Sequence, residues 1–138
     1  MGRGMTNKTL EKIQQQVAEN PVMLYMKGTP DAPECGFSGR AVAYLNKTGV
    51  EYAYVNVLKS PFIYEYLPRF SQFPTFPQVF VGGELIGGSD IVEAMYNSGE
   101  LQAMLEDLVK QGKLSALKVP ATTPVEPAKP TSNLVQLG

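Results

Sequence analysis

The chain has 138 residues, 43% of them hydrophobic, which fits one soluble globular domain with a core of its own. Its 12 lysines and arginines nearly balance its 13 aspartates and glutamates, so no overall charge attracts it to nucleic acid or to an anionic membrane. The chain has one cysteine, Cys35, and no histidine. This composition excludes an internal disulfide, a cysteine–histidine or serine–histidine catalytic pair, and a zinc site closed by one chain.

The first half of the chain predicts a βαβ unit. The predicted segments are a helix from Asn7 or Thr9 to about Glu19, a strand over 22–26, a loop over 29–34, a helix from Cys35 to Thr48, and a strand over 51–57. Asn20-Pro21 ends the first helix, and Gly49 suits the position just past the second. Two strands joined through a helix imply a parallel pair with a right-handed crossover.

The second half predicts a helix, a β-hairpin and two further helices. The predicted segments are a helix over 61–70, strands over 78–81 and 84–86 joined by Gly82-Gly83, a helix that follows Gly87-Gly88-Ser89-Asp90 and ends near Ser98, and a helix over 100–110. Beyond Gly112, prolines alternate with small and polar residues without any period, which predicts a disordered or extended tail. We therefore divide the chain into a domain over 1–112 and a Pro-rich tail over 113–138.

A location in the cytoplasm is predicted from the lone thiol and from the lack of long apolar runs. A free cysteine favours a reducing compartment over an oxidising one. No apolar run resembles a signal peptide or approaches the ~20 residues that span a bilayer. An organelle matrix is the alternative, if a leader has been removed.

Cys35 is predicted to be a reactive thiol because it lies just before a helix. Backbone N–H groups and the helix dipole favour the thiolate at such a position. Lys27 adds a positive charge nearby, whereas the acidic residues of the 29–34 loop would oppose ionisation if they approached the sulfur. Gly36 leaves room over the sulfur, and Ser38 takes the place of a second thiol. The alternative is that Cys35 is a small buried apolar residue.

Several separated motifs resemble those of the monothiol glutaredoxins, the class named for its Cys-Gly-Phe-Ser motif. They are Met26-Lys27-Gly28-Thr29, the loop over 30–34, Cys35-Gly36-Phe37-Ser38, Phe73-Pro74-Thr75-Phe76-Pro77-Gln78 and Gly87-Gly88-Ser89-Asp90-Ile91. The resemblance extends over roughly residues 7–109. It implies an α/β, thioredoxin-like fold, in which a four-stranded mixed sheet is flanked by helices and the Phe76-Pro77 peptide is cis.

The resemblance also implies a glutathione site around Cys35. In this family the residue before the cis-proline pairs its backbone with the cysteinyl part of glutathione, and a Gly-Gly-x-Asp segment binds the γ-glutamyl end at a helix N-terminus. The residues that it implies for glutathione are Lys27, Cys35, Phe37, Thr75, Phe76, Pro77, Gly88, Ser89 and Asp90. The alternative for Lys27 is a solvated loop lysine, and the alternative for Asp90 is a helix cap.

Three positions depart from the family pattern. Tyr64 aligns with an arginine that helps to hold the glycyl carboxylate of glutathione, so we assign that role to Arg69, with Lys59 as the alternative. Phe73 stands where many relatives have tryptophan, and Ser89 stands where a second cysteine is frequent. The usual second thiol of the family is therefore missing.

The resemblance implies a carrier of a 2Fe-2S cluster that serves cluster transfer and iron homeostasis. Two copies would each supply Cys35, the catalytic and metal-binding residue, and two glutathione thiolates would complete the four sulfur ligands. This homodimer would pass the cluster to apo iron-sulfur acceptor proteins and share it with BolA-like partners. The alternatives are a glutathione-dependent thiol-disulfide oxidoreductase of weak turnover, which removes glutathione from proteins, and a redox-silent adaptor that acts through the tail.

Overall fold

The computed structural model describes residues 3–118 and 134–137, which form a central β-sheet between two layers of helices. The elements are α1 (Arg3–Glu19), β1 (Val22–Met26), β2 (Gly28–Thr29), β3 (Ala32–Pro33), α2 (Gly36–Thr48), β4 (Tyr52–Asn56), a 3₁₀ helix (Val57–Lys59), α3 (Pro61–Ser71), β5 (Gln78–Val81), β6 (Glu84–Gly87), α4 (Ser89–Ser98), α5 (Glu100–Lys110) and β7 (Leu134–Leu137). None of the helices in these ranges is long and apolar enough to cross a membrane.

Four strands form the mixed sheet that the sequence predicts. Their order is β6-β5-β1-β4, with β1 parallel to β4 and antiparallel to β5. The antiparallel strands β5 and β6 form the predicted hairpin, and its turn residues Gly82 and Gly83 have φ values of 63° and 86°. Glycine adopts these left-handed conformations without steric strain, which explains the Gly-Gly pair. The prediction of an α/β fold with a four-stranded mixed sheet is confirmed.

The core lies on both faces of the sheet. Val22, Leu24 and Met26 of β1 pack in the cluster that contains α2, α4 and α5, while Met23 and Tyr25 pack in the cluster that contains α1 and α3. A strand buried on both faces has no solvent side, which explains why residues 22–26 are an unbroken apolar run. The end of this strand leads directly to Lys27, beside the first turn of α2.

Two local predictions in the first third of the chain are wrong. Helix α1 begins at Arg3, and Thr9 is a buried residue inside it rather than its cap. No proline stands between Arg3 and Thr9, so no residue there removes a helical N–H donor. The 29–34 loop is also more regular than predicted, because β2 and β3 form a short antiparallel hairpin in which the Ala32 N–H donates to Oγ1 of Thr29 at 3.0 Å.

The tail predicted over 113–138 contains ordered contacts. The N–H of Lys118 donates to the carbonyl of Gly49 at 2.9 Å, which holds this segment against the end of α2. Strand β7 pairs parallel to β4 at the edge of the sheet and is a fifth strand that the sequence did not predict. Four residues are too few to show the alternation of apolar and polar residues that is typical of a strand. Strand β7 also depends on a distant partner, the edge of β4, which no local pattern indicates. The rest of the predicted tail, residues 119–133 and 138, lies outside the described residues, so the division at 112 stays a prediction.

Candidate functional site

Cys35 is the N-cap residue of α2, at the junction where the sequence predicts it. Its backbone is extended, with φ -158° and ψ 134°, and the helix begins at Gly36. The thiol is free and half-buried. A Cβ built on Gly36 would meet no atom within 4 Å, so the space over the first helical turn is open. Cys35 is therefore accessible to a ligand and is not a residue of the apolar core.

The surroundings of Cys35 lower the pKa of its thiol below the ordinary value for cysteine. Partial burial by itself opposes ionisation, since it removes water from the charged form. The backbone N–H groups of Ser38 and Phe37, the Ser38 hydroxyl and the positive charge of Lys27 outweigh that effect and lower the pKa. The charged side chain that acts on the sulfur is thus the predicted lysine, which favours a reactive thiolate.

The backbone of Lys27 is held from two sides. Its N–H donates to Oγ of Ser38 at 3.1 Å, and its carbonyl accepts from the N–H of Glu34 at 2.9 Å. Next to it, Gly28 has φ 94°, and a Cβ there would come within 2.5 Å of the Glu34 nitrogen. Only glycine fits this close approach of two backbone segments. These contacts fix the starting point of the Lys27 side chain beside Cys35.

An open groove of about 830 Å³ lies over Cys35 and brings together nine of the ten residues predicted for the site. The nine that line it are Lys27, Cys35, Phe37, Thr75, Phe76, Pro77, Gly88, Ser89 and Asp90. They come from the end of β1, the start of α2, the loop before β5 and the start of α4. A groove of this size accommodates a small peptide-like ligand.

One wall of the groove is the loop that precedes β5. The peptide bond between Phe76 and Pro77 is cis, as the family resemblance implied. The fully buried Gln78 holds this loop, because its Nε2 donates to the carbonyl of Phe73 at 2.9 Å and to that of Thr75 at 3.2 Å. A Cβ on Gly88 would lie 3.2 Å from the Pro77 carbonyl oxygen, so a small residue lets α4 approach the loop closely.

Asp90 stands in the first turn of α4 and lines the groove. Its side chain is 84% exposed, and its Oδ1 lies 3.5 Å from Nη1 of Arg40. The same guanidinium nitrogen lies 3.4 Å from Oε1 of Glu93, so Arg40 is shared between two carboxylates. A long, exposed and shared ion pair is weak, which leaves Asp90 able to bind a cationic group of a ligand.

Arg69, the tenth residue predicted for the site, does not line the groove. Its Nη2 lies 3.7 Å from Oε2 of Glu65, and its guanidinium carbon lies 5.0 Å from the ring centroid of Tyr66. Arg69 is one residue beyond Pro68, which lines the groove, and one residue turns the side chain by about 100° around the helix. The alternative, Lys59, lines a different cavity of about 390 Å³ together with Lys8 and Lys12.

Five residues line the groove that the predicted set did not include. They are Tyr64, Pro68, Phe73, Pro74 and Ile91. Tyr64 and Pro68 are four residues apart on α3, beside the stripe formed by the buried Ile63 and Leu67. The spacing of Tyr64 and Pro68 in the sequence indicates that both lie on one side of the helix. No local feature of the sequence indicates that this side lines a groove.

The comparisons with known proteins agree with the motifs. A family model of glutaredoxins matches residues 22–86. Glutaredoxin 4 of Escherichia coli strain K12 is 51% identical over 105 residues, which cover 76% of this chain and 91% of that protein. A probable monothiol glutaredoxin 2 of Rickettsia typhi is 52% identical over 106 residues, which cover 77% of this chain and 96% of that protein.

The chain belongs to the monothiol glutaredoxin family. A solved structure supports the thioredoxin-like glutaredoxin fold for this family member. The crystal structure of a buckwheat glutaredoxin–glutathione complex superposes with a TM-score of 0.68 at 28% identity. The superposition covers 76% of this chain and 94% of the buckwheat protein, so nearly the whole of that glutaredoxin has a counterpart here.

Proposed function

We propose that this glutaredoxin binds glutathione in the groove over Cys35 and carries a 2Fe-2S cluster bridged between two protomers. The observation that carries the proposal is the position of the chain's one cysteine sulfur. It lies at an open helix N-terminus beside a groove large enough for a small thiol peptide. The thiolate form that such a cluster needs as a ligand is the form that the surroundings of Cys35 favour.

The number of sulfur donors supports a shared site. A 2Fe-2S cluster takes four sulfur ligands, and the chain supplies one cysteine and no histidine. Within residues 8–118, no group of three or more cysteine, aspartate or glutamate side chains is arranged to hold a metal ion. A second Cys35 and two glutathione thiolates complete the set, so glutathione in this proposal is both the ligand of the groove and part of the cluster site.

The groove has a charged side chain of each sign for the charged groups of glutathione. Lys27 offers an ammonium group for a carboxylate, and Asp90 offers a carboxylate for the γ-glutamyl ammonium. The N–H groups at the start of α4, around Ser89, suit the γ-glutamyl carboxylate. Thr75, Phe76 and Pro77 also line the groove, and we assign them to the cysteinyl part of the tripeptide.

Anaerobic reconstitution tests the proposal. Apo protein is incubated with ferrous iron, sulfide and glutathione, and its visible absorption and its mass are measured by size-exclusion chromatography with light scattering. We expect charge-transfer absorption in a dimeric species that contains two glutathione molecules, and we expect neither the absorption nor the dimer for Cys35→Ser. The matched control replaces glutathione with S-methylglutathione, which retains the charged ends but has no thiol. Colour that survives either change, or no coloured species in the wild type, contradicts the proposal.

A second candidate function is glutathione-dependent disulfide exchange, which is favoured by the lowered pKa of Cys35 and the open space over Gly36. The Cys35 thiolate attacks the glutathione sulfur of a protein–glutathione disulfide and releases the protein thiolate. A glutathione thiolate then attacks the Cys35–glutathione disulfide, which yields oxidised glutathione and free Cys35. Brisk turnover of a glutathionylated protein in a coupled assay would make this the main activity, and we expect slow turnover.

The proposed carrier function has consequences for partners and location. The cluster is cargo that apo iron-sulfur proteins receive, and a BolA-like protein is a proposed alternative partner at the shared site. We propose a cytoplasmic or similarly reducing location, because the function requires a free thiol and reduced glutathione.

A further inference from the structure

Lys27 is the one lysine or arginine among the described residues that line the groove, and it lies beside an aromatic ring. Its Nζ lies 5.8 Å from the ring centroid of Tyr64. Among residues 8–118, Lys27 forms no ion pair with a carboxylate. The Tyr64 ring is therefore a contact of this ammonium that leaves its charge unneutralised.

Tyr64 also contacts the opposite wall of the groove. Its ring centroid lies 5.1 Å from that of Phe76, with 47° between the ring planes. The Tyr64 ring is 41% exposed, and it extends from the side of α3 that is not occupied by the buried Ile63 and Leu67. Tyr64 thus touches both the side chain that follows β1 and the loop that precedes β5.

We infer that Tyr64 is a positioning residue whose ring holds the Lys27 ammonium in the groove without neutralising its charge, so that the ammonium meets a carboxylate of the ligand. An aromatic face attracts a cation through its quadrupole. A carboxylate in the same place would cancel the charge and occupy the N–H donors, whereas the ring leaves both available. The ligand part of this inference rests on the proposed glutathione site.

The test uses the apo protein and three single variants at two tyrosines of α3. Lys27→Met, alone and combined with Tyr64→Leu, completes the set. Tyr64→Leu removes the ring, and Tyr64→Phe keeps the ring but removes the hydroxyl. Tyr66→Leu is the matched control, because it removes a ring that contacts a cation, Arg69, away from the groove. Two quantities are measured by NMR: the ¹H shift of the Lys27 ε-methylene group, which a nearby ring moves upfield, and the Kd for S-methylglutathione, which binds without disulfide chemistry.

We expect Tyr64→Leu to move the Lys27 signal downfield and to weaken binding about two- to fivefold, the range typical of a partly exposed cation–π contact. Tyr64→Phe and Tyr66→Leu keep both values. In a Lys27→Met background, Tyr64→Leu causes no further loss of affinity, because the two residues act through one contact. An unchanged Lys27 signal in Tyr64→Leu overturns the inference, and so does an equal loss of affinity in the Lys27→Met background.

The two proposals fail in different ways. A wild-type protein that does not bind S-methylglutathione overturns the proposed glutathione site, and with it the ligand part of this inference. Wild-type binding that is weakened by Lys27→Met but not by Tyr64→Leu leaves the glutathione site in place and overturns the role of Tyr64 alone.

Discussion

The hydroxyl oxygen of Ser38 accepts a hydrogen bond from the backbone N–H of Lys27 at 3.1 Å. This bond joins the end of β1 to the first turn of α2. It therefore fixes the backbone of Lys27 relative to the helix that begins after Cys35. Ser38 is fully buried, and water cannot replace its hydroxyl if the side chain is shortened.

Replacement of Ser38 by alanine should lower the free energy of unfolding by about 1–2 kcal/mol, because the Lys27 N–H loses its partner. Urea unfolding followed by circular dichroism measures the change. Ser115→Ala is the control, since Ser115 is exposed and its hydroxyl is free to bond with water. If Ser38→Ala is no less stable than this control, the bond makes no net contribution to stability.

The alkylation rate of Cys35 should depend on pH with a midpoint below that of free cysteine, about 8.5. Only the thiolate reacts, so the rate constant rises with pH through the pKa of Cys35, which its surroundings lower, and then levels off. Lys27→Met removes a positive charge that stabilises the thiolate and should move the midpoint upward. Iodoacetamide kinetics measure both midpoints. Lys113→Met, at the exposed end of the domain, should leave the midpoint in place.

Replacement of Gly28 by alanine should destabilise the domain by at least about 2 kcal/mol, because its φ of 94° and the nearby Glu34 nitrogen leave no room for a Cβ. Gly39→Ala is the matched control within α2, where the nearest atoms outside the helix are ordinary contacts at 3.6 Å. Thermal and urea unfolding should separate the two variants. Equal stability for both would show that the β2–β3 hairpin yields to the added methyl group.

Replacement of Asp90 by asparagine should weaken glutathione binding about threefold to tenfold, because the groove loses its carboxylate for the γ-glutamyl ammonium. Glu93→Gln provides a close comparison, since Glu93 shares Arg40 with Asp90 but does not line the groove. NMR titration with S-methylglutathione gives both Kd values. A loss of the same size for Glu93→Gln would assign the effect to Arg40 instead of to ligand contact.

Removal of residues 119–138 should leave Cys35 alkylation and glutathione affinity unchanged, because the groove is lined by residues between Lys27 and Ile91. Removal of 113–138 should also lower the melting temperature, since Leu114 and Leu117 pack against the core. Alkylation kinetics, NMR titration and calorimetry distinguish the two truncations. Loss of cluster assembly after removal of residues 119–138 alone would support a role of the tail in function.

Predictions from sequence were accurate where short-range chemistry decides the structure. Gly49 and Gly99 adopt left-handed conformations just past α2 and α4, close to where glycine was expected to end each helix. Predictions failed where no local signal exists. Helix α1 begins at Arg3, ahead of both predicted caps, and β7 pairs with an edge that belongs to a strand about 80 residues earlier in the chain.

The candidate site shows the same division. Cys35 at the start of α2 followed from the motif and its neighbours, and nine of the ten predicted residues line one groove. Arg69 was predicted as the substitute for the family arginine, yet it does not line the groove and pairs with Glu65. The direction of a side chain around a helix depends on which face the helix buries, and in α3 that face is occupied by Ile63 and Leu67.

Composition and short motifs were enough to establish the sulfur count, the junction that activates Cys35 and the turns that need glycine, because backbone sterics act over a few residues. The family resemblance assigned Lys27 and Asp90 to one site, and the tertiary structure showed that Tyr64 shares their groove. These residues are separated by more than 25 positions in the chain, and the packing of α3 and α4 against the sheet brings them together. Long-range packing of this kind is cooperative across the whole core, so no local pattern in the sequence specifies it.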